Sequence, residues 1–519
     1  MAQATGQQDR QAGSSEADEH GLKANAVGFV SVLVIGLAST APAYSLAAVI
    51  GVVAVLVGVH APAALLTSFI PMFFIAAAFY YMNRADQDCG TSFSWVTRAM
   101  GPWVGWMAGW AVVATSILVI GSLADVAARY TFLLFELDVL AACKFAVTIL
   151  AVAYIAVLTW IAVIGIEPSA RLQDVLIVAQ VLALLLFASV ALISVFNGTA
   201  PEGSVRPELS WFSPFAISSP DALIGSLLIG VFIYWGWESA VNSTEESTHS
   251  ATAPGLAAIC ATIILLITYL SVSTAVVAFA GLSTVEGFAD NDAILSQLAT
   301  DVLGSPWDKF VVLAVLTSAL AATQTTIIPA SRTTLSMARA HAMPKALGRI
   351  HPRFQTPHIS TIITGAAGIA WYVPLKFLSE SFLFDTLSAL SLLVAFYYSL
   401  SGFACVIYYR RELLKSVRNF VFMGVAPLLG AMLLAYVFFM SMGSLADPRE
   451  SYTGATLFGL GLPLVIGLGF LLLGLVLMLA WRLGGHARFF ARPAFEAVEP
   501  EVAAGKFAAR ESAGAVATN

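Results

Sequence analysis

Long apolar runs separated by short polar punctuation set the organisation of this chain. Uncharged stretches long enough for a membrane helix recur from residue 24 to residue 482. A helix needs about 20 apolar residues, rising about 1.5 Å each, to cross a hydrocarbon core about 30 Å thick. The longest run lies between Lys23 and Arg84. As one straight helix it would reach roughly 90 Å, about three core thicknesses. His60, Ala61 and Pro62 are therefore read as a turn between two spans. The first span, Ala24 to Val59, is still too long for one straight crossing. Its middle reads Gly36-Leu37-Ala38-Ser39-Thr40-Ala41-Pro42-Ala43, where a proline removes a backbone donor and crowds the preceding turn. A break in the helix is expected there.

The remaining runs place spans at about 25–59, 62–82, 103–128, 142–164, 172–196, 221–244, 254–280, 308–338, 358–378, 383–409, 418–441 and 453–482. That predicts an all-α membrane protein of twelve transmembrane helices. Basic residues orient it. With the N-terminus inside, nineteen of the 25 Lys and Arg fall on the cytoplasmic side. The six on the outer side are Arg129, Lys144, Arg206, Lys309, Lys376 and Arg449. Both termini are expected in the cytoplasm of a multi-pass protein of the cell membrane. Residues 1–23 and 485–519 are expected to be cytoplasmic tails without a fixed fold.

Composition narrows the function. Of 519 residues, 59% are hydrophobic and 11% charged, where a soluble chain carries about 25% charged. So few charges cannot cover a soluble surface, and the net charge of −6 argues for no nucleic-acid partner. Cys89, Cys143, Cys260 and Cys405 show no paired or metal-ligand spacing. Nothing calls for a cofactor or a metal. A second interruption lies in span 6, at Tyr234-Trp235-Gly236-Trp237-Glu238. If residues 24–196 and 221–409 are two five-helix halves joined by an extracellular linker at 197–220, both interruptions fall in the first helix of a half. An odd number of spans inverts the second half, and residues 410–484 add helices 11 and 12. Paired interrupted segments mark the binding site of inverted-repeat transporters.

Glu238 is the most informative single residue. Sixteen uncharged residues precede it and six follow, and an ionisable group at that depth is by default a functional candidate. A carboxyl there can carry a proton; the alternative is a structural cap on the broken helix. Phe232, Tyr234, Trp235 and Trp237 surround the same break, either lining a pocket or packing between helices. Asp125 and Asp385 sit near outer helix ends, where an aqueous or salt-bridged role is expected.

Three motifs carry a family resemblance. The segment after span 8 reads Ser331-Arg332, then Met337-Ala338-Arg339, Pro344-Lys345, His351-Pro352-Arg353 and Thr356-Pro357. Gly90-Thr91-Ser92-Phe93-Ser94-Trp95 with Gly101-Pro102-Trp103 follows span 2. Gly236-Trp237-Glu238-Ser239-Ala240 is followed by Glu245-Glu246. Together, over residues 24–485, they resemble the amino acid–polyamine–organocation permeases of the bacterial amino acid permease type. The resemblance implies a leucine-transporter-type 5+5 inverted repeat with broken helices 1 and 6. It also implies a permease that imports an amino acid or amine by alternating access, with no enzymatic activity.

Two departures from the family pattern shape the site. The usual Gly-small-Gly triplet of the first break is replaced by Thr40-Ala41-Pro42. Beside Ser39 and Thr40, the amides of Ala41, Ala43 and Tyr44 then remain as donors for a substrate carboxylate. Span 5 lacks the lysine that several proton-coupled members carry; Gln180 stands near that place and does not titrate. Glu238 becomes the leading coupling group, and a proton the expected coupling ion. Sodium is the alternative, held by Gly36 carbonyl, Thr317 and Ser318. A neutral amino acid is favoured over a cationic one, with an amine or polyamine exchanged or sodium-driven as the second reading. A channel or an intramembrane enzyme fits less well, because neither a filter nor a catalytic grouping is readable.

Overall fold

The computed structural model describes residues 21–217, 219–288, 294–378 and 382–491. The described chain is almost wholly helical, with one ladder of two short strands, Thr456–Leu457 against Leu460–Gly461. Its principal helices in the first half are α1 (Phe29–Thr40), α2 (Pro42–Val57), α3 (Ala61–Ala85), α4 (Ser92–Met100), α5 (Pro102–Leu134), α6 (Lys144–Ile164) and α7 (Ile166–Asn197). The second half holds α8 (Pro220–Ile233), α9 (Ser239–Asn242), α10 (Ala253–Ala280), α11 (Lys309–Arg339), α12 (His358–Leu378) and α13 (Phe382–Tyr408). The last two are α14 (Ala426–Ser444) and α15 (Leu462–Leu483). Among the described residues, ten segments are long and apolar enough to cross a membrane. One of them, Phe29–Ala85, runs 57 residues through α1, α2 and α3, and α8 is a shorter apolar helix.

The centre and the rim of this bundle differ in burial. In α5 and α11, 94% and 83% of the most apolar window lies inside, against 28% in α6. Since α6 is no less apolar, its outward Phe145, Ile149, Val157 and Trp160 face what must be lipid. Between apolar helices, close packing rather than water exclusion holds the bundle together. Small residues permit it: a Cβ at Gly474 would lie 2.2 Å from the Trp110 ring, and one at Gly365 2.2 Å from Thr159 Oγ1.

Both interruptions read from the sequence are breaks. α1 ends at Thr40, Ala41 takes a left-handed conformation (φ 49°, ψ 61°), and Pro42 opens α2. The hydroxyls around the break repair the backbone: Thr40 Oγ1 donates to the Leu37 carbonyl at 2.7 Å, and Ser45 Oγ to the Thr40 carbonyl at 2.7 Å. Such repair is required where water cannot satisfy a freed carbonyl. The second break spans Tyr234 to Glu238, between α8 and α9. There Tyr269 OH donates to the Ile233 carbonyl at 2.7 Å. The two breaks touch. Ser39 Oγ lies 2.7 Å from Ser239 Oγ. Gly236 has φ +121°, and a Cβ on it would sit 2.7 Å from the Ser39 backbone.

One face of the bundle is closed by charges. Arg332 Nε donates to Glu246 Oε2 at 2.6 Å with both side chains buried, and Arg339 Nη1 reaches Glu245 at 3.0 Å. Asp88 Oδ1 collects the Gly90 amide and the Ser94 and Ser336 hydroxyls at 2.6–2.7 Å. The stretch after span 2 forms the helix α4, with Phe93 and Trp95 buried. Asp86 lies just outside α3 and is 8% exposed. Burial pushes its carboxyl up to about 7; Arg98, 3.1 Å away, offsets part of this, while Asp88 and Glu245 add to it.

The expected tails extend beyond the described residues, and the described parts are docked. Leu22 is buried and Lys23 pairs with Glu167 at 2.8 Å. A short helix, Ala487–Phe490, packs Phe489 5.8 Å from Phe93 and Phe490 4.7 Å from Trp103. The expectation that the chain loses its fold at 485 is corrected: two aromatic side chains anchor it as far as 490.

Two outcomes follow. Gly236→Ala places a side chain where neither φ nor space admits one. It is expected to lower the melting temperature of the detergent-purified protein and abolish uptake. Gly225→Ala, whose Cβ would meet only Leu56 at 3.5 Å, should do neither. For Asp86, the folded protein keeps a proton that the unfolded chain releases near its ordinary value of 3.8. Stability is therefore lost as pH rises from about 4 to about 7 and is constant above. In melting curves between pH 5 and 8, Asp86→Asn should be flatter than wild type.

Candidate functional site

The second break turns Glu238 inward, and the side chain is 2% exposed. Three donors meet its two oxygens. Tyr397 OH donates to Oε1 at 2.5 Å, Tyr398 OH to Oε2, and the Gly236 amide to Oε2 at 3.1 Å. Trp235 Nε1 in turn donates to Tyr397 OH at 2.5 Å. Consecutive tyrosines diverge around α13, so the carboxylate sits between two phenols whose rings are 4.8 Å apart. Sequence reading missed this pair. The available signal was two phenols in mid-span, each with a polar tip that must find a partner when buried.

The first break is tied to three other helices. The Tyr44 amide donates to Ser318 Oγ at 3.3 Å, Gln180 Nε2 donates to the same oxygen at 2.6 Å, and Tyr44 OH lies 2.6 Å from Ser122 Oγ. Ser318 thus joins α2, α7 and α11, and Ser122 brings in α5. Two of the amides expected to receive a carboxylate are already engaged, Ala41 with the Ala38 carbonyl at 3.2 Å and Tyr44 with Ser318. Among the described hydrogen bonds that leaves Ala43, since Pro42 has no N–H.

The expected oxygen cluster of Gly36, Thr317 and Ser318 is not assembled in that form. Thr317 is half-buried and donates back to the Leu313 and Ala314 carbonyls of its own helix, at 2.8 and 3.2 Å. Adjacent residues point about 100° apart on a helix, so Ser318 faces the break and Thr317 does not. Gly36 abuts the second break, where a Cβ would lie 3.1 Å from the Trp237 carbonyl.

The aromatic residues split between packing and lining. Trp237 packs 5.1 Å from Phe79 and 5.3 Å from Tyr398, and Tyr234 packs 5.1 Å from Tyr269. Both are fully buried, and among the described residues Tyr234 OH and Trp237 Nε1 find no hydrogen-bond partner. Phe232 stands edge-on to Tyr44 at 6.3 Å. It also lines a narrow cleft with Ala48, Val49, Leu387 and Tyr452.

Asp125 and Asp385, expected near outer helix ends in an aqueous or salt-bridged role, are both fully buried, and Asp125 is salt-bridged. Asp125 binds Lys376 at 3.0 Å and Tyr372 OH at 2.5 Å, with Arg129 3.3 Å away. Lys376, counted above on the outer side, is a buried residue of α12. Asp88, Cys89 and Glu245 bring ligand-type atoms within 4.8 Å of one another. Their acceptors already hold the Gly90 and Cys89 amides, two serines and Arg339, so the group acts as a hydrogen-bond hub.

Similarity to known proteins agrees with this architecture. The family model described as amino acid permease matches residues 27–471. The chain is 26% identical over 236 residues to a methylthioribose transporter of Bacillus subtilis (strain 168), covering 44% of this chain and 47% of that one. It is 26% identical over 246 residues to the branched-chain amino acid permease BcaP of the same organism, covering 46% and 48%. These two matches span about half the length of each relative. It is 23% identical over 359 residues to the low-affinity putrescine importer PlaP of Escherichia coli (strain K12), covering 66% and 73%. Among solved structures, MhsT in complex with L-phenylalanine shares the fold at 17% identity. The TM-score is 0.57, over 78% of this chain and 98% of that one. The chain is a multi-pass membrane protein and belongs to the amino acid permease family.

Proposed function

We propose that this permease imports an amino acid by alternating access, driven by protons, with Glu238 as the coupling group. Twelve crossings follow if Phe29–Ala85 holds two and α8 with α9 forms another broken one. In that reading residues 24–196 and 221–409 are the two inverted halves, 197–220 links them outside, 410–484 adds two helices, and both termini are cytoplasmic. The observation that carries the proposal is the Glu238 carboxylate held between Tyr397, Tyr398 and the Gly236 amide. A carboxylate accepts at both oxygens, but a protonated carboxyl must donate from one. Both oxygens of Glu238 already face donors, so a bound proton obliges one phenol to turn from donor to acceptor or the Gly236 amide to let go. Proton binding thereby rearranges the contact between α13 and the break, and proton release restores it. The substrate's carboxylate would be received at the first break by the Ala43 amide, at the N-terminus of α2. Ser39, Thr40, Ala41 and Tyr44 shape that end, and Phe232, Tyr234, Trp235, Gly236 and Trp237 shape the other. Gln180 positions Ser318.

The second reading is a sodium-coupled transporter or exchanger of an amine. The longer match to a putrescine importer favours it. In that case Ser318 would supply an oxygen to the ion.

Proteoliposome uptake separates the two. Glu238→Gln is expected to keep substrate exchange but lose accumulation and pH dependence. An elementary charge is worth about 2.3 kcal/mol per 100 mV, or roughly 50-fold accumulation. Tyr398→Phe, which removes a charge-assisted bond, should cut proton-driven uptake by about tenfold while exchange persists. Wild-type uptake should follow an imposed inward proton gradient without sodium. Uptake that requires sodium and ignores the pH gradient would overturn the proton reading and favour Ser318.

A further inference from the structure

Between α13 and α14 the chain turns back at one end of the bundle, and its shape there is fixed by named contacts. Tyr409 OH donates to the Tyr81 carbonyl of α3 at 2.7 Å. Leu413 tucks inward against Gly424, where a Cβ would lie 3.2 Å from its Cδ2. Ser416 caps the helical turn that follows, its Oγ accepting from the Asn419 amide at 3.1 Å, and Asn419 Nδ2 donates to the Glu412 carbonyl at 3.2 Å. A π-helical stretch, Phe420–Val425, then leads into α14.

This ordered turn presents apolar and basic side chains outward together. Leu414 is 89% exposed and Val417 80%. Around them stand Arg410, Arg411, Lys415 and Arg418, with Glu412 the one carboxylate in residues 410–418. Glu412 is taken by Lys415 at 2.8 Å. Arg411 and Arg418 are exposed, and among the described residues neither has an ion pair. Arg84, also exposed, adds a cation at the same end, where α3 meets Tyr409; its guanidinium lies 5.7 Å from the Tyr80 ring centroid. A single exposed leucine is ordinary. Here the exposed apolar row continues through Phe420, Val421 and Phe422 into Leu428, Leu429 and Met432 of α14. That helix belongs to a segment long and apolar enough to cross a membrane.

We propose that residues 410–422 form a binding site for the headgroup of an anionic phospholipid, with Leu414 and Val417 seated among the acyl chains of the adjoining leaflet. A cluster of Lys and Arg directly beside a membrane helix draws anionic lipid to it. Apolar side chains interleaved with cations match the bilayer interface, the former reaching the acyl boundary and the latter the phosphates. Arg411 and Arg418 supply the phosphate contacts, because a guanidinium presents paired N–H donors to phosphate oxygens. The excess of cations selects a net negative headgroup over a zwitterionic one. An acidic soluble protein would match the cations, but the apolar row runs on without interruption into the lipid-facing flank of α14, and only the bilayer covers both. The proposal concerns the bilayer and stands whether or not the transport reading above holds.

The test has two arms on full-length protein. In the first, detergent-purified protein is titrated with fluorescent phosphatidylglycerol and, separately, with fluorescent phosphatidylcholine. Phosphatidylglycerol is expected to bind the more tightly. Arg411→Gln with Arg418→Gln should weaken it about 25-fold, at about fivefold per cation. Arg411→Lys with Arg418→Lys should keep most of the affinity, and both variants should melt as wild type does, since the two side chains are exposed. Inorganic phosphate should displace the lipid no better than sodium chloride of equal ionic strength. In the second arm, Cys89, Cys143, Cys260 and Cys405 are replaced, and a nitroxide is attached at Leu414→Cys. In vesicles of phosphatidylcholine with phosphatidylglycerol, dissolved oxygen should relax the label more than an aqueous nickel chelate does. Equal affinity for the two lipids would overturn the proposal, as would unchanged phosphatidylglycerol binding in the double Gln variant. Displacement by inorganic phosphate beyond the salt effect would reduce the site to one for a free anion. A label at Leu414→Cys that meets nickel more than oxygen would place the turn in water, open to an acidic protein instead, and would also overturn it.

Discussion

Hydrocarbon offers no partner to a backbone amide or carbonyl, and this constraint governs the two broken helices. Each break frees groups that water would otherwise satisfy, so the protein must satisfy them itself. At the first break the repair is local: Thr40 and Ser45 turn their hydroxyls onto the carbonyls of Leu37 and Thr40. At the second, Tyr269 of α10 caps the Ile233 carbonyl from outside, and Glu238, within the break, accepts from the Gly236 amide. Every helix that contributes to the repair is held against the breaks by it. The breaks thus interrupt the helices and are at the same time heavily cross-linked to their neighbours.

That cross-linking supplies the geometry a transporter can use. Tyr44 hangs between Ser122 on α5 and Ser318 on α11, which also receives Gln180 from α7. One turn along α5 from Ser122, Asp125 is bound to Lys376 and Tyr372 of α12. A buried pair of this kind is weak evidence for stability, because desolvation consumes much of its attraction. Its consequence here is positional: it couples α5 to α12 and so holds Ser122 opposite the break. On the charged face, the pairs Arg332–Glu246 and Arg339–Glu245 hold α11 against the segment that follows α9. A change in any one anchor is therefore felt by several helices.

The sequence alone determined much of this. Runs of apolar residues too long for the bilayer required breaks, and proline beside hydroxyl residues located the first within Ser39-Thr40-Ala41-Pro42. Glu238 stood out because hydrocarbon penalises a charge wherever it sits. These are local properties, carried by a residue and its chain neighbours, so they are legible in one dimension. Tertiary structure decided which groups meet. Tyr397 and Tyr398 reach Glu238 across about 160 residues, and no periodicity within α13 encodes that encounter. Thr317 and Ser318 are indistinguishable as letters, but the helical rotation between them turns one back on its own carbonyls and the other to the break. Asp385 was read for an aqueous or salt-bridged role, and its partners turned out to be hydroxyls and amides of a loop more than 60 residues away. The reason is the same in each case: burial and partnership belong to the packed bundle, whereas the need for a partner is already written in the side chain.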